Sequence, residues 1–231
     1  MVLIKELTEV SDLQQIPGLE QAIWGNPDPV PTSIMRVMAD HGGGIWGAME
    51  DEVWIGFAMA MAARDENGWY LHSHQAGVLA PYRARGVGRA LKLAQREWAH
   101  RRGYPRIGWT FDPLRASNAH FNLAVLGAQI TRYFLDYYGI LDSNLNRGLP
   151  TDRVFCEWSV DPFALPTALG RDRILEIEIP PDIGTLKETD LGSAAAWQRH
   201  VRTQFMDYLA QGWVPRGFER LPSPRYILSR I

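Results

Sequence analysis

The stretch Val78-Leu79-Ala80-Pro81-Tyr82-Arg83-Ala84-Arg85-Gly86-Val87-Gly88 decides how this chain folds. Apolar residues predict a strand up to Leu79, and helical periodicity begins at Arg89, so an Arg-x-x-Gly-x-Gly turn joins a strand to a helix. Glycine lets a ligand approach the backbone closely, and the first amides of a helix have no intrahelical acceptor. Together with the positive end of the helix dipole, such a turn suits an anion, most often a phosphate.

Two other phosphate-binding motifs do not fit this turn. The chain contains no Gly-x-x-x-x-Gly-Lys-Ser/Thr string, which excludes a Walker A loop. The dinucleotide fingerprint needs a glycine or alanine three places beyond its second glycine, and Leu91 occupies that position. A tight strand-to-helix turn without a ligand is the alternative to an anion site.

The composition is typical of a globular protein. The 231 residues are 46% hydrophobic, and the net charge of −2 gives no electrostatic case for nucleic acid or an anionic membrane as partner. The N-terminus lacks the pattern of a signal peptide, and apolar runs such as residues 55–63 are too short to cross a bilayer. Cys156 is the only cysteine, so no internal disulfide can form. These features predict a cytoplasmic protein.

Hydrophobic periodicity and turn signals predict an α+β fold with a mixed, mostly antiparallel sheet flanked by helices. The Asn-Gly pair at 67–68 is typical of a hairpin and predicts an antiparallel meander around it. Strands are predicted at residues 2–7, 45–49, 53–63, 69–79, 106–111, 131–138 and 154–160. Helices are predicted at residues 11–24, 32–40, 89–102 and 117–126, the last capped by Ser117 or Asn118.

The composition changes after Asp161, where Pro162 and Pro166 mark a boundary. We therefore predict a main domain over residues 1–161 and a C-terminal αβ extension over residues 162–231. The extension either packs on the main domain or is a shortened second copy of it. It contains predicted strands at 173–179, 213–218 and 226–228, and a helix at 190–211 capped by Asp190. The apolar face of this helix fits intramolecular packing or a homodimer.

The order of elements and the motif at residues 78–88 resemble the GNAT superfamily of acyl-CoA N-acyltransferases over about residues 2–160. The resemblance implies a strand that splays open, with backbone groups at Val78 and Leu79 holding the pantetheine arm and the acyl carbonyl. It also implies that Asn118 lies close to the pantetheine and that the cosubstrate is acetyl-CoA or succinyl-CoA, without a metal. The implied pyrophosphate cradle consists of Arg83, Ala84, Arg85, Gly86, Val87, Gly88 and Arg89.

Acyl transfer to an amine needs a polarised thioester and an unprotonated amine held against it. His72 and His74 are the candidates for the base, because imidazole titrates near neutral pH and both lie on the strand that leads into the turn. A spacing of two predicts that both side chains share one face with Ala76 and Val78. A His-x-His pair at this position is also similar to one known within the superfamily. The alternatives are a structural pair within the sheet and half of a metal site.

No covalent intermediate is needed, and Cys156 is interpreted as a buried, inert thiol. The superfamily often places a tyrosine, as general acid to the leaving thiolate, where this chain has Leu123. Either the thiolate leaves unassisted or one of three tyrosines on the next strand replaces that acid. These tyrosines are Tyr133, Tyr137 and Tyr138.

The acceptor is predicted from the loops around the motif, which are apolar and mildly charged. Such loops favour a small-molecule amine over a basic peptide. If the acceptor is an amino acid, Arg115 or Arg132 would meet its carboxylate in a forked pair, unless each is an ordinary solvated surface arginine. Because Leu123 replaces the tyrosine, a catalytically inactive acyl-CoA sensor is the alternative function.

Overall fold

The computed structural model describes residues 1–25, 28–139, 148–161 and 174–230. The chain divides into two compact units: unit 1 is Met1–Trp109 with Ser159–Pro162, and unit 2 is Thr110–Trp158 with Phe163–Ile231. Unit 2 therefore takes residues 110–158 together with the C-terminal segment, and the predicted boundary at residue 161 stays a prediction.

Both units contain strands and helices. The described strands are β1 (Leu3–Glu6), β2 (Gly44–Glu50), β3 (Val53–Asp65), β4 (Gly68–Val78), β5 (Arg106–Phe111), β6 (Gln129–Phe134), β7 (Arg153–Ser159), β8 (Leu175–Glu178), β9 (Trp213–Glu219) and β10 (Arg225–Arg230). The described α-helices are α1 (Val10–Leu13), α2 (Ile16–Trp24), α3 (Thr32–Asp40), α4 (Val87–Arg101), α5 (Ala116–Ala119), α6 (Ile183–Thr189) and α7 (Leu191–Ala210). A 3₁₀ turn covers Ala80–Tyr82, and a π-helix covers His120–Val125.

The sheet of unit 1 confirms the predicted mixed topology. Strands β1 to β4 pair in sequence order and antiparallel, and β5 joins β4 in parallel. The meander of β2, β3 and β4 forms because runs of apolar residues are joined by tight turns, including the Asn-Gly pair. In unit 2, β6 pairs antiparallel with β7, and β10 pairs antiparallel with β8 and β9.

Both faces of the β2–β4 meander are covered, which explains its high apolar content. On one face, Phe57 and Met59 of β3 pack in a buried cluster with residues of α1, α2 and α3. On the other face, Trp46 of β2 meets Trp98 of α4 edge-on, with ring centroids 5.5 Å apart. Helix α4 is further tied to β1 by the Trp98 indole, which donates to the Glu6 carboxylate at 2.8 Å.

Two predicted helices differ from the observed ones. The helix predicted at 11–24 is interrupted, because Pro17 lacks an N–H and is placed in the first turn of α2, where no intrahelical donor is needed. The helix predicted at 117–126 begins one residue earlier, since Asp112 and Arg115 already form a turn and Arg115 is the N-cap. Neither Ser117 nor Asn118 therefore caps it, and it widens into the π-helix after Ala119.

The C-terminal segment contains one helix that the sequence did not predict. Asp182 caps α6 by accepting from the backbone amides of Gly184 and Thr185 at 2.9 and 3.2 Å. Asp190 caps α7 by accepting from the Ser193 amide at 3.0 Å, which confirms the predicted start of that helix. Over the described ranges, none of the helices combines the length and apolar character that a membrane span requires.

A buried carboxylate organises unit 2. Asp152 accepts from the Tyr133 hydroxyl at 2.7 Å and from Arg202 Nε and Nη2 at 2.8 and 3.0 Å. We expect Asp152→Ala to lower the free energy of unfolding by about 2–3 kcal/mol, because it strands the Tyr133 hydroxyl and the guanidinium. The loss falls below that of a fully buried pair because the Arg202 side chain is 29% exposed.

Urea unfolding followed by tryptophan fluorescence measures this loss. The matched control is Asp40→Ala, which breaks a pair with Arg36 in which both side chains are 46% exposed. That control should change stability by at most about 0.5 kcal/mol. Equal effects of the two substitutions would contradict the role given to Asp152.

Candidate functional site

Strand β4 loses its parallel neighbour part-way along. Within unit 1 it pairs with β5 only at Leu71 and His72, whereas its pairing with β3 continues to Val78. The amide of Leu79 extends that pairing by donating to the Ile55 carbonyl at 2.9 Å. Among the described residues of unit 1, residues 73–78 of β4 therefore have no ladder partner on the β5 side. This is the splayed strand that the resemblance implies, and such an edge offers backbone donors and acceptors to an extended ligand.

The turn that follows β4 has the backbone conformation of an anion site. Ala84 and Gly86 both adopt the left-handed region, with φ values of +59° and +82°. Left-handed residues in a turn direct successive amides toward one point. The first helical bond of α4 runs from the Ala90 amide to the Gly86 carbonyl at 3.0 Å. The amides of residues 87–89 precede it and have no acceptor within the helix.

Access to these amides is open at Gly86. A Cβ placed on Gly86 would have no heavy atom within 4 Å. No side chain caps the helix at this residue. The space beside Gly86 is therefore open, and the dipole of the 15-residue helix α4 favours negative charge at this end of the helix.

The three arginines around the turn differ in how much of their positive charge is left for a ligand. Arg83 Nε donates to the Val78 carbonyl at 3.0 Å, so the Arg83 side chain contacts the end of β4. Arg85 Nη2 lies 2.7 and 3.0 Å from the two oxygens of the Glu50 carboxylate, and this ion pair neutralises its charge. Arg89 lies exposed in the first turn of α4. The backbone amides of residues 87–89, rather than the Arg85 guanidinium, are therefore the groups that an anion at this turn would meet.

We expect Arg85→Ala to change CoA affinity by no more than about threefold, because its guanidinium is already engaged and the backbone amides remain. Isothermal titration with CoA at 0.15 M salt measures this change. Arg89→Ala is the comparison, since it removes a charge that Glu50 does not neutralise. A loss for Arg85→Ala larger than for Arg89→Ala would show that the Glu50 pair opens for the ligand.

The two histidines do not alternate as predicted. Met59 and Ala60 of β3 are consecutive, but they pair with Gln75 and Ser73 of β4, so His74 is the extra residue of a β-bulge. A bulge shifts the side-chain phase by one. His72 pairs with Met61, whereas Ala76 and Val78 pair with Ala58 and Gly56 on the opposite face of β3. The prediction that His72 shares a face with Ala76 and Val78 is therefore wrong.

His74 and His72 have different surroundings. His74 is exposed to solvent beside the bulge, and the protein around it still desolvates the imidazole enough to lower its pKa from the usual 6.5. Water attenuates that shift because the side chain keeps solvent contact. The His72 ring lies 6.0 Å from the Tyr70 ring in an edge-on arrangement. A histidine with a lowered pKa is neutral at pH 7 and can accept a proton.

Sequence reasoning missed Lys92, which lies beneath the bulge. Its side chain is 3% exposed. Its Nζ lies 2.9 Å from the Ser73 hydroxyl oxygen and 3.6 Å from the centroid of the Trp109 ring. Ser73 immediately precedes His74, so Lys92 holds the strand where the bulge begins. The sequence offers one signal for it: Lys92 follows Leu91 on the side of α4 that is otherwise apolar.

The remaining predicted residues lie in unit 2. Asn118 is exposed on α5, and its place near the pantetheine stays a prediction. Leu123 is 2% exposed in the π-helix. Arg115 Nε lies 3.7 Å from Asp112, and the Arg132 guanidinium lies 4.2 Å from the Phe155 ring centroid. Both arginines predicted to meet a carboxylate thus already contact other side chains.

The three candidate tyrosines differ in their contacts. Burial raises the pKa of the Tyr133 hydroxyl well beyond its usual range, and its hydrogen bond to Asp152 raises the pKa further. Tyr133 is therefore a weak acid toward a thiolate. Tyr137 and Tyr138 are 44% and 43% exposed, and the Tyr138 hydroxyl lies 3.2 Å from the Thr110 hydroxyl.

Cys156 is fully buried in β7, as the interpretation of an inert thiol requires. In the part of the chain that the structure describes, no three His, Cys, Asp or Glu side chains form a possible metal site.

Comparisons with known proteins agree with the resemblance that the sequence suggested. A sequence profile described as the Acetyltransferase (GNAT) family matches residues 12–123. None of the curated proteins matches the chain. Similar solved structures include a ribosomal-protein alanine N-acetyltransferase from Escherichia coli, with a TM-score of 0.55 and 18% identity over 69% of this chain and 94% of that one.

Two further structures were solved with ligands. An Arabidopsis thaliana protein in complex with a CoA bisubstrate analogue has a TM-score of 0.55 and 19% identity, over 68% of this chain and 98% of its own. The yncA protein of Salmonella typhimurium, solved with its cofactor acetyl-CoA, has the same TM-score and identity over 72% of this chain and 98% of its own. At these identities the likeness concerns the fold.

Proposed function

Because this chain belongs to the GNAT acetyltransferase family, we propose that it is an acyl-CoA-dependent N-acyltransferase that acts on the amine of a small molecule, amino acids included. The acyl group is acetyl or succinyl. The observation that carries the proposal is the open edge of β4 running into a turn whose first helical amides, at residues 87–89, have no intrahelical acceptor. An extended ligand with a diphosphate at one end fits that arrangement.

The donor is held mainly by backbone groups. The amides after Gly86 bind the diphosphate, and the free edge of β4 binds the pantetheine arm as an added strand would. A backbone amide at Val78 or Leu79 would polarise the thioester carbonyl. The Leu79 amide already donates to the Ile55 carbonyl, so the Val78 amide is the better placed of the two to polarise the thioester.

The transfer is a direct attack in a ternary complex. The amine nitrogen attacks the thioester carbon, the new C–N bond forms, and the C–S bond breaks with the electron pair leaving on the CoA sulfur. His72 or His74 accepts the proton that the amine loses, through a water molecule. The thiolate leaves unassisted, since Leu123 cannot donate a proton and a thiolate is a good leaving group.

The acceptor is a small molecule because the sequence of the loops around the motif is apolar and only mildly charged, which does not suit a basic peptide. A cytoplasmic location and a homodimer stay predictions. The rival function is an inactive acyl-CoA sensor, favoured by Leu123 in the position of the usual general acid.

Release of free thiol, followed with a panel of amines and of D- and L-amino acids, tests the proposal. Acetyl-CoA and succinyl-CoA are supplied separately, and reactions without the amine are the control. Amine-dependent release supports an enzyme. Stabilisation by CoA of about 2.7 kcal/mol at 100 times its Kd, without release for any amine, supports the sensor. If CoA does not stabilise the protein and no amine causes thiol release, both functions are contradicted.

A further inference from the structure

The register between β3 and β4 brings two polar side chains of β4 to one face of the sheet. Gln75 and His72 pair with Met59 and Met61 of β3. Residues that pair across neighbouring strands point to the same face, and residues two apart on one strand share a face. Gln75 and His72 therefore share a face although they are three apart in the sequence, because the bulge at His74 shifts the alternation by one.

The opposite face of the same stretch is chemically different. It carries Ser73, Ala76 and Val78 of β4. Alanine and valine side chains have no polar atom, and the Ser73 hydroxyl already accepts from the buried Lys92 Nζ at 2.9 Å. An amine that needs a side-chain acceptor on this stretch of β4 is therefore better served on the face that carries Gln75.

Gln75 has an acceptor atom without a donor. Its side-chain oxygen is buried and has no hydrogen-bond partner among the described residues. Buried polar atoms without partners are rare in native proteins, and each needs an explanation. The residue as a whole is half-buried, and the torsion that turns its terminal amide is soft. Turning the amide presents the oxygen to a ligand, and an N–H group of that ligand then supplies the donor.

Apolar side chains of α2 cover the next position on the same face. Gly77 pairs with Phe57, and a Cβ placed on Gly77 would stand 2.8 Å from Trp24 Cζ2 and 3.0 Å from Ile23 Cδ1. The glycine thus lets both side chains lie against the strand. The half-buried Trp24 ring also meets the Phe57 ring edge-on, with centroids 5.5 Å apart. A polar acceptor next to an apolar surface is typical of a site for a small organic molecule.

We propose that Gln75 binds the acceptor amine, and that the acceptor is a primary amine with an apolar carbon skeleton. This inference rests on the proposed function. The Gln75 oxygen accepts a hydrogen bond from one N–H of the amine, and the carbon skeleton lies against Trp24. The nitrogen lone pair then attacks the thioester carbon, whose carbonyl the Val78 amide polarises at the free edge of β4.

The preference for a primary amine follows from the hydrogens on the nitrogen. After the attack, a primary amine nitrogen is positively charged and carries two hydrogens. Gln75 holds one of them, and His72 accepts the other as a proton through a water molecule, while the C–S bond breaks and its electron pair leaves on the CoA sulfur. A secondary amine has one hydrogen at this stage, so it cannot both donate to Gln75 and lose a proton to His72.

Thiol release by the whole chain with acetyl-CoA and with succinyl-CoA tests the proposal. The probes are ethylamine, 2-phenylethylamine, L-alanine and L-phenylalanine, each compared with its N-methyl counterpart. We expect the wild-type kcat/KM to be at least about tenfold higher for the responding primary amine than for its N-methyl form. The secondary amine loses one hydrogen bond from a charged nitrogen, and such a bond accounts for a difference of this size.

Gln75→Met measures how much of this preference belongs to Gln75, because it keeps the side-chain volume and removes the oxygen. We expect kcat/KM for the primary amine to fall by about 10- to 100-fold and the preference over the N-methyl amine to shrink to about threefold or less. The Kd of CoA should stay within about twofold. The matched control is Gln95→Met, which also removes a buried amide without partners but lies on α4, on the other face of the sheet. It should keep the wild-type kinetics.

Equal kcat/KM for primary and N-methyl amines in the wild type would overturn the proposal. Wild-type kinetics in Gln75→Met, or an equal loss in Gln95→Met, would overturn it as well. A wild type that releases no thiol with any amine would contradict the proposed function, and the role of Gln75 with it. If Gln75→Met does not fold, Gln75→Asn places the oxygen one carbon–carbon bond short of the amine. It should show the same loss, and unchanged kinetics would count against the proposal.

Discussion

Gly86→Asp is expected to weaken CoA binding by about 100-fold or more. If the diphosphate binds the amides of residues 87–89 as proposed, a carboxylate at position 86 comes within about 5 Å of it, where two like charges repel by about 3 kcal/mol at an effective dielectric constant of about 20. Each 1.4 kcal/mol is about tenfold in Kd, so one repelled phosphate charge already accounts for the loss. Isothermal titration with CoA measures it, on protein whose folding is checked by circular dichroism.

The opposite end of the same helix supplies the control. Gly103 follows α4, has a φ of +76° and, like Gly86, has no heavy atom within 4 Å of a Cβ placed on it. Gly103→Asp therefore imposes the same left-handed strain, about 1–2 kcal/mol, without approaching the turn. We expect its CoA affinity to stay within about threefold of the wild type. Similar losses in both variants would mean that strain in α4, rather than a phosphate at its N-terminus, explains the effect.

Removing the catalytic base is expected to lower kcat by about 100- to 10,000-fold while CoA affinity is retained. We expect this loss in His72→Ala or in His74→Ala, and the single variants identify which imidazole takes the proton. His100→Ala is the control, because His100 is exposed near the end of α4, away from the turn. Thiol release at saturating substrates measures kcat.

The pH dependence gives a second test of the same assignment. The pKa of His74 is lowered from 6.5 by desolvation, so the imidazole is neutral at pH 7 and becomes protonated only below pH 6.5. If His74 is the base, kcat is constant down to about pH 6.5 and falls as the pH drops through the lowered pKa. The same profile in the wild type and in both alanine variants would remove the two histidines from the mechanism.

The fold was predictable where local signals agree with tertiary packing. The meander of β2, β3 and β4 followed from short apolar runs and the Asn-Gly turn, and α4 from the glycines at both of its ends. The interruption at Pro17 also has a local cause in the sequence, because proline lacks the amide that a helix interior needs. By contrast, the early start at Ala116 depends on the turn that Asp112 forms, which periodicity does not reveal.

The site was predictable only in its backbone. The turn at residues 83–88 has a local signature because left-handed positions and free helix amides follow from its glycines. The bulge at His74 depends on the register between β3 and β4, and the sequence of β4 alone does not predict it. The pairing of Arg85 with Glu50 joins residues 35 positions apart, which spacing in the sequence cannot show.

A crystal structure with bound CoA tests the central claim most directly. The account predicts diphosphate oxygens at about 3 Å from the backbone nitrogens of Val87, Gly88 or Arg89, with the pantetheine lying along the free edge of β4. A nucleotide bound elsewhere, with these amides facing solvent or covered by side chains, would contradict it.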